Sequence, residues 1–345
     1  YRSEKGEMPH LTNQIILRNR PQGRLMPADF ELKEYILPEL KPNQVLLRAI
    51  YISLDPYMRG RMNAIKTYAK TFEINEPLKA RGISQIVQSK NSNFAPGELV
   101  LGIVDWANYS ITDGDKFRPL PSDTFPITHY LGVLGMPAMT AWVGMKLAAP
   151  KLMETVFVSA ASGAVGQVVG QLAKIAGCRI IGSAGNDDKI NFLINELGFD
   201  AAFNYKSGVS VTDALKSAAP DGIDIYFDNV GGIILEAALD HANNFARFIQ
   251  CGMISQYNLS REEMSGIRNL THINRKRIRM EGFIVSDYDH QLDEFMTDMQ
   301  NLLKAGKITY RIDVVEGLEN TVTTFISMLN GGNFGKQIVQ LGPEE

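Results

Sequence analysis

Between Thr155 and Lys189 the chain reads TVFVSAASGAVGQVVGQLAKIAGCRIIGSAGNDDK, and this stretch constrains the fold more than any other. Thr155–Ser159 is a short apolar run with β-branched residues, which predicts a strand. Gly163 and Gly166 bracket a tight turn, and Val165, Val168, Val169, Leu172, Ile175 and Ala176 follow at helical spacing. Gly177 ends that helix, and Arg179–Ser183 is the next strand. Such a strand–turn–helix–strand unit aims the free N–H groups of a helix N-terminus at one point, which suits a pyrophosphate. The motif is A-x-G-x-x-G, with Ala161 where the usual fingerprint has its first glycine. A packing turn that holds no ligand is therefore the competing reading of the motif alone.

The end of the second strand bears on which dinucleotide would fit. An Asp or Glu there takes the ribose hydroxyls of NAD, but the register RIIGSAG places Ala184 at that point. Asp187 and Asp188 come later and open the next helix, where carboxylates serve the cap and the helix dipole. With no acid at the strand end and Lys189 just beyond, a 2′-phosphate is tolerated and can be paired. The expected cofactor is NADPH rather than NADH.

The alternation continues after this unit. Strands are expected at 155–159, 179–183, 201–204, 223–227, 246–250 and 280–285, and helices at 165–176, 187–197, 210–217, 233–242 and 291–305. That pattern predicts an α/β region with a doubly wound parallel sheet. Residues 1–130 have another texture. The short runs Gln14–Leu17, Val45–Ile52, Gln85–Val87 and Leu99–Gly102, broken by Pro and Gly, predict a β-rich, barrel-like domain. Leu131–Leu147 reads as a helical link, and the tail Glu316–Gln340 as one helix and a strand, Lys336–Gln340, that returns to the first domain. The expected domains are 1–130 with 316–345, and 131–315.

Composition narrows the class. A chain of 345 residues, 45% of them apolar, has enough material for two cores. The net charge is −3 with both signs mixed, so nucleic acid is not an expected partner. The cluster Arg275, Lys276, Arg277 and Arg279 leads into the apolar run Met280–Val285 and reads as a solvated segment end. No apolar run reaches the ~18 residues of a membrane span. The start, at Tyr1 rather than Met, carries no signal-peptide pattern and reads as trimmed. Cys178 and Cys251 lie in apolar strand contexts and read as reduced core residues of a cytoplasmic protein.

Several blocks together carry a family likeness: LDPYMRGRM (54–62), LGVLGMPAMTAWVGM (131–145), SAASGAVGQVVGQLAK (159–174), YFDNVGG (226–232), CGMISQYN (251–258), EGFIV (281–285) and NGGNFGKQIV (330–339). They resemble the zinc-independent medium-chain dehydrogenase/reductases and, more closely, the alkenal/enone double-bond reductases, a group that includes leukotriene B4 dehydrogenase/prostaglandin reductase, plant alkenal reductase and curcumin reductase. The resemblance implies a GroES-like β-rich catalytic domain and a Rossmann cofactor domain. It also implies a homodimer, and NADPH-dependent 1,4-reduction of α,β-unsaturated aldehydes and ketones. Zinc-dependent relatives carry an early Cys ligand followed by Gly-His-Glu, whereas the corresponding SLDPYMRG and ARGISQIV have neither Cys nor His. No metal is expected. A quinone reductase or an enoyl-thioester reductase on the same fold, or an NADPH-binding protein without turnover, remain open as alternatives.

Hydride addition to a conjugated C=C needs a donor for the enolate oxygen and a proton for the α-carbon. Tyr257 follows a predicted strand at the sheet's ligand-binding edge, and the resemblance places it near the nicotinamide ribose. It either orients the carbonyl and relays a proton or only stacks on the ribose. Tyr57 either lines the substrate pocket as a donor or is a structural aromatic in a Pro-containing turn, with Asp55 and Arg59 pairing or capping locally. Water or the cofactor's ribose hydroxyl is the other proton source. The turn Gly163, Ala164, Val165 and Gly166 would take the pyrophosphate. By resemblance Lys189 and Tyr205 face the adenosine phosphate, Asn229 contacts the cofactor's ribose or nicotinamide side, and Cys251, Gly252 and Ser255 are further cofactor-binding residues. Asn229 has a second reading, as a turn residue in the left-handed region. Asn333 would contact the cofactor from the catalytic domain, and Phe283–Val285 would run as a strand beneath the nicotinamide and into a dimer sheet. His10, His129, His241, His272 and His290 show no ligand spacing, and Met136, Met139 and Met145 read as packing residues. The pocket wall is expected from Ile65–Ile74, from residues 258–272 and from a dimer partner.

Overall fold

The computed structural model describes residues 11–65, 68–122 and 124–344. His10, and Lys66 and Thr67 of the expected pocket wall, lie outside them. The chain divides into two compact units. One comprises the chain up to Leu131, Val314–Asn330 and the residues from Gln337 onward. The other comprises Gly132–Asp313 and Gly331–Lys336, so the Asn333 segment of the tail clusters with the second unit rather than the first.

In chain order the N-terminal part carries β1 (Leu11–Leu17), β2 (Phe30–Ile36), β3 (Val45–Ser53), the one-turn helix α1 (Met58–Arg61), β4 (Lys79–Ser89), β5 (Leu99–Asp105), β6 (Tyr109–Thr112) and β7 (Arg118–Pro119). The middle carries α2 (Met136–Ala148), β8 (Thr155–Val158), α3 (Gly166–Ile175), β9 (Arg179–Ala184), α4 (Asp187–Asn195), β10 (Ala201–Asn204), α5 (Val211–Ala218), β11 (Ile223–Asp228) and α6 (Gly232–His241). There follow β12 (Ala242–Gln250), α7 (Thr271–Arg275), β13 (Arg279–Gly282) and α8 (Leu292–Lys304), and the tail adds β14 (Ile312–Glu316), α9 (Thr321–Leu329) and β15 (Lys336–Gln340).

The first unit is β-rich, as its texture implies. Its larger sheet runs β14-β15-β3-β4-β5-β7, with β6 also on β3, and β1 and β2 form a separate antiparallel pair. β3 is buried along nearly its whole length and pairs with β15, β4 and β6. The tail strand returns to this sheet antiparallel to β3, with Ile338 opposite Ser53. The run Gln85–Val87 proves to be the middle of β4, whose polar Lys79 and Arg81 alternate with buried Ala80 and Gly82 and hide a long strand.

The second unit is a parallel six-stranded sheet in the order β10-β9-β8-β11-β12-β13. All four residues of β8 are buried, as a central parallel strand covered on both faces requires. Across β8, β11 and β12, Tyr226 stacks on Phe157 at a centroid separation of 5.0 Å and meets Phe248 edge-on at 5.3 Å. The chain leaves β8 toward β9 and β10 on one side and returns to β11, β12 and β13 on the other. The switch point of the sheet therefore lies between the ends of β8 and β11.

Two expectations need correction here. β13 ends at Gly282, which pairs with Gln250 where β12 itself ends, so beyond it no neighbouring strand remains to bond. Phe283–Val285 is therefore not a strand. The Phe283 ring is directed at Gly144 of α2 and lies edge-on to Tyr288, and Val285 opens a 3-10 turn. Cys178 is buried, but Cys251 lies past the end of β12 and is half-buried, so it is no core strand residue.

Candidate active site

The Gly-containing turn after β8 is shaped by three close approaches. Ala160 takes a left-handed φ of 48°, and the Ala161 methyl packs toward Gly182 of β9. A Cβ on Gly166 would lie 2.7 Å from the Ala161 Cα, so a side chain there would push α3 off the turn. α3 then begins at Gly166 behind Val165, which gives no side-chain cap; the Gln167 N–H bonds to the Gly163 carbonyl at 3.1 Å and the Val168 N–H to the Val165 carbonyl at 3.0 Å. Farther along, Gln167 and Gln171 are buried and act as backbone surrogates. Gln167 exchanges hydrogen bonds with both the N–H and the carbonyl of Arg311 at 2.8 and 3.1 Å. Gln171 does the same with Thr309 at 2.8 and 2.7 Å.

On one side of this turn lies a cationic cluster. β9 ends at Ala184, only 2% exposed, so no acid stands there. Asn186 caps α4 by accepting from the Lys189 N–H at 2.9 Å, and Asp187 accepts from Asn204 at 2.9 Å. Asp187 and Asp188 stand in the first turn of α4, as their dipole reading has it, while the side-chain cap falls to Asn186. Lys189 is 6% exposed, and its Nζ donates to the Gly331 carbonyl at 2.7 Å. Burial first, and then the neighbouring Lys206, lower its pKa. A Cβ on Gly185 would lie 3.0 Å from the Tyr205 hydroxyl and 3.5 Å from Lys206 Cε. Lys189, Tyr205, Lys206, Gly185 and Gly331 thus converge, and a second anion there would relieve two lysines at once. The tail segment is held nearby. Phe334 N–H donates to Asp313 at 3.0 Å, its ring takes Arg311 at 3.8 Å, and Asn333 donates to the Gly335 carbonyl at 2.8 Å.

On the other side, at the switch point, the polar groups face one another. Asn229 donates from its backbone N–H to Ser159 Oγ and from Nδ2 to the Ser159 carbonyl, both at 2.9 Å. Its φ is not positive, so it is not the left-handed turn residue of the second reading; Gly231 and Gly232 take that conformation, at φ 72° and 57°. Ser255 Oγ donates to the Val230 carbonyl at 2.5 Å. Cys251 and Gly252 both donate from their N–H groups to the Asp228 carbonyl. The Tyr257 side chain folds back over this edge: its hydroxyl accepts from the Met253 N–H at 3.3 Å and would lie 3.0 Å from a Cβ on Gly252. Burial, followed by the charge of Asp228, pushes the Cys251 thiol up to about 12.

Tyr57 belongs to the first unit, where it precedes α1. Burial, with Asp55 adding to it, pushes its phenol up to about 12, so the proton stays on oxygen throughout the neutral range. Asp55 accepts from Ser53 at 2.5 Å, while Arg59 donates to Asn63 and to the Gly23 carbonyl at 2.6 and 2.7 Å. The Ser53 and Asn63 contacts are local, as expected, whereas the Gly23 carbonyl lies 36 positions from Arg59.

The second unit therefore brings together Gly163, Ala164, Val165 and Gly166, the Lys189–Tyr205 pair, and Asn229, Gly252, Ser255 and Tyr257 along one sheet edge. Phe283 turns toward α2 instead. Lys206, Gly185, Ser159 and Asp228 escape a reading of spacing alone, although each adjoins a residue that was singled out. Among the described residues no group of three His, Cys, Asp or Glu side chains could hold a metal ion. The donor set fits a phosphorylated dinucleotide: a capless helix N-terminus, a buried lysine with a second lysine beside it, and glycines wherever a Cβ would press into the cradle.

The fold and this edge define a two-domain nicotinamide-dependent oxidoreductase. Residues 13–120 match the family described as N-terminal domain of oxidoreductase, and residues 164–304 the family described as zinc-binding dehydrogenase. The chain is 43% identical to the NADP(+)-dependent 2-alkenal reductase of Nicotiana tabacum, over 96% of this chain and 98% of that one. It is 40% identical to prostaglandin reductase 1 of Rattus norvegicus, over 94% and 97%. The crystal structure of CurA in complex with NADPH from Vibrio vulnificus superposes with a TM-score of 0.91 at 40% identity, covering 96% of this chain and 99% of that chain. The chain belongs to the alkenal/enone reductase branch of the medium-chain dehydrogenase/reductases.

Proposed function

We propose that the chain is an NADPH-dependent reductase of the C=C bond of α,β-unsaturated aldehydes and ketones, working by 1,4-hydride addition without a metal. The first unit carries the catalytic-domain role and the second the cofactor role. The observation that carries this reading is the row formed along one sheet edge by the capless α3 turn, the buried Lys189 and the Tyr257 hydroxyl. It stands in a chain 43% identical to an enzyme named for 2-alkenal reduction.

When bound, NADPH supplies the hydride that adds to the substrate's β-carbon. The Gly163–Gly166 turn would hold the pyrophosphate, and Lys189 with Lys206 and Tyr205 would hold the 2′-phosphate. Asn229 would orient the nicotinamide ribose. As the C–H bond forms, the C=C electron pair moves toward the α-carbon and the carbonyl oxygen gains charge, which the Tyr257 phenol meets as a hydrogen-bond donor. A proton then joins the α-carbon, from that phenol or from water, and the saturated carbonyl leaves. Tyr57→Phe asks of the first unit's phenol what Tyr257→Phe asks of the second's.

A homodimer is part of the same proposal. β13 ends the sheet order, so its outer edge keeps backbone donors and acceptors for a second copy. Sedimentation at twice the chain mass is the expected result. Two free cysteines suit a reducing, cytoplasmic setting, and among the described residues no helix is long and apolar enough to cross a membrane.

The activity is tested by NADPH oxidation with chelator-treated protein against 2-alkenals, aryl enones, quinones and crotonyl-CoA, with NADH in parallel. Saturated aldehydes and ketones as products, with NADPH preferred, are expected. Turnover confined to quinones or to the thioester would overturn the assignment.

A further inference from the structure

Asp228 is costly to bury, and none of the steps above uses it. The residue is 0% exposed at the end of β11, beside the switch point. Its Oδ1 accepts from the Tyr226 hydroxyl at 2.7 Å, the Val230 N–H at 2.9 Å and the Gly231 N–H at 2.8 Å. Its Oδ2 is buried with no hydrogen-bond partner. A carboxyl group out of water with one bare oxygen is unfavourable unless its other contacts fix something needed. Burial holds its pKa above the ordinary carboxylate value, against the pull of those donors.

The contacts show what is fixed. Tyr226, buried in the aromatic stack, also places its hydroxyl 3.1 Å from Ser159 Oγ. Ser159 follows β8 across the switch point, and its Oγ and carbonyl take the Asn229 backbone N–H and Nδ2. The Asp228 carboxylate meanwhile pins the next two N–H groups, which forces the turn through left-handed Gly231 and Gly232. Asn229 is thus gripped on both sides. With Nδ2 committed to Ser159, its Oδ1 is the group left for a ligand hydroxyl.

We infer that Ser159, Tyr226 and Asp228 form a positioning device that spans the switch point and presents Asn229 Oδ1 to a ribose hydroxyl in the nicotinamide half of NADPH. The inference rests on the reading that this edge binds NADPH. None of the three need touch the cofactor; they act through Asn229.

The test compares Ser159→Ala, Tyr226→Phe, Asp228→Asn and Asn229→Ala with the parent enzyme, using kcat/KM for NADPH with a 2-alkenal. Binding of 2′,5′-ADP, which carries only the adenosine half, is measured alongside. Ser159→Ala and Tyr226→Phe are expected to lower kcat/KM by about 5- to 50-fold, with 2′,5′-ADP binding kept within about twofold. Asp228→Asn keeps the accepting oxygen and is expected to stay closest to the parent. Tyr226→Phe added to Asn229→Ala is expected to cost little more than Asn229→Ala alone, because both act on one contact. Unchanged kcat/KM in Ser159→Ala and Tyr226→Phe, equal losses of NADPH and 2′,5′-ADP binding, or fully multiplicative losses in the double variant would each overturn the inference. Parent protein that binds no NADPH would instead overturn the reading beneath it. Tyr226→Phe removes one hydroxyl and keeps the ring stack, so the test survives if variants at Asp228 fail to fold.

Discussion

The two ends of the second unit's sheet edge are built on opposite principles. At the adenosine end, Lys189 and Lys206 stand close together without a paired carboxylate at the strand end, and burial makes the first less willing to hold its charge. At the nicotinamide end, Ser159, Tyr226, Asp228 and Asn229 bond to one another, and one carboxylate oxygen serves three donors while the other has none. One end gathers cations, and the other is held in place by hydrogen bonds among its own residues. The difference teaches where selectivity and where geometry reside. On the proposed function, the paired lysines would select the phosphorylated cofactor, whereas the pre-bonded network would fix the direction of the reacting half.

The change that should erase this distinction sits between the two ends. Gly166→Ala forces a methyl against the Ala161 backbone, and both ends lose the turn they share. NADPH, NADH and 2′,5′-ADP affinities are all expected to fall by about 100-fold, the equivalent of ~2.7 kcal/mol of overpacking. Titration of NADPH and NADH fluorescence, with 2′,5′-ADP followed by its displacement of NADPH, measures it, and a loss confined to one cofactor would break the comparison.

Lys189→Met should sharpen it. Loss of a charge-assisted contact is expected to raise the NADPH KM by about 10- to 100-fold while the NADH KM stays within about twofold. The pH dependence carries the same sign. Because burial lowers the Lys189 pKa, its ammonium is lost as pH rises through a range below that of ordinary lysine. The NADPH KM should climb there while the NADH KM remains flat, as parallel steady-state series would record.

A smaller effect is expected at the opposite end. Tyr257→Phe is predicted to lower kcat by about tenfold with little change in NADPH KM, as removal of one donor to a developing charge should. A rise in NADPH KM at constant kcat would make Tyr257 a ribose contact instead. The smallest effect concerns Cys251. With its thiol pushed up to about 12, alkylation by iodoacetamide at pH 8 should be far slower than for a free thiol near ~8.5 and should accelerate only at strongly alkaline pH. Mass spectrometry of the labelled peptide follows it.

Much of this was legible before any coordinates. Strand and helix spacing from Thr155 to Ala305 foretold nearly every element of the parallel sheet, because buried parallel strands read as apolar runs and their helices as amphipathic periods. Ala184 at a strand end and Lys189 just beyond it are local facts, and the structure keeps both in place. The first unit was harder. β4 spans eleven residues, but its alternation of charged and buried positions let only three of them look like a strand.

What the chain order could not contain is which distant groups complete one another. That Lys189 would meet the Gly331 carbonyl, 142 positions away, or Ser159 the amide of Asn229, 70 positions away, depends on how separate strands and the tail are laid side by side. The end of β13 at Gly282 has the same origin. An apolar run carries on through Val285, but a strand stops where its neighbour stops. Spacing along a chain sets the period of each element and the residue types on each face. Hydrogen-bond partners across a sheet edge exist only once the sheet has formed, and they decide which polar side chains remain for a ligand.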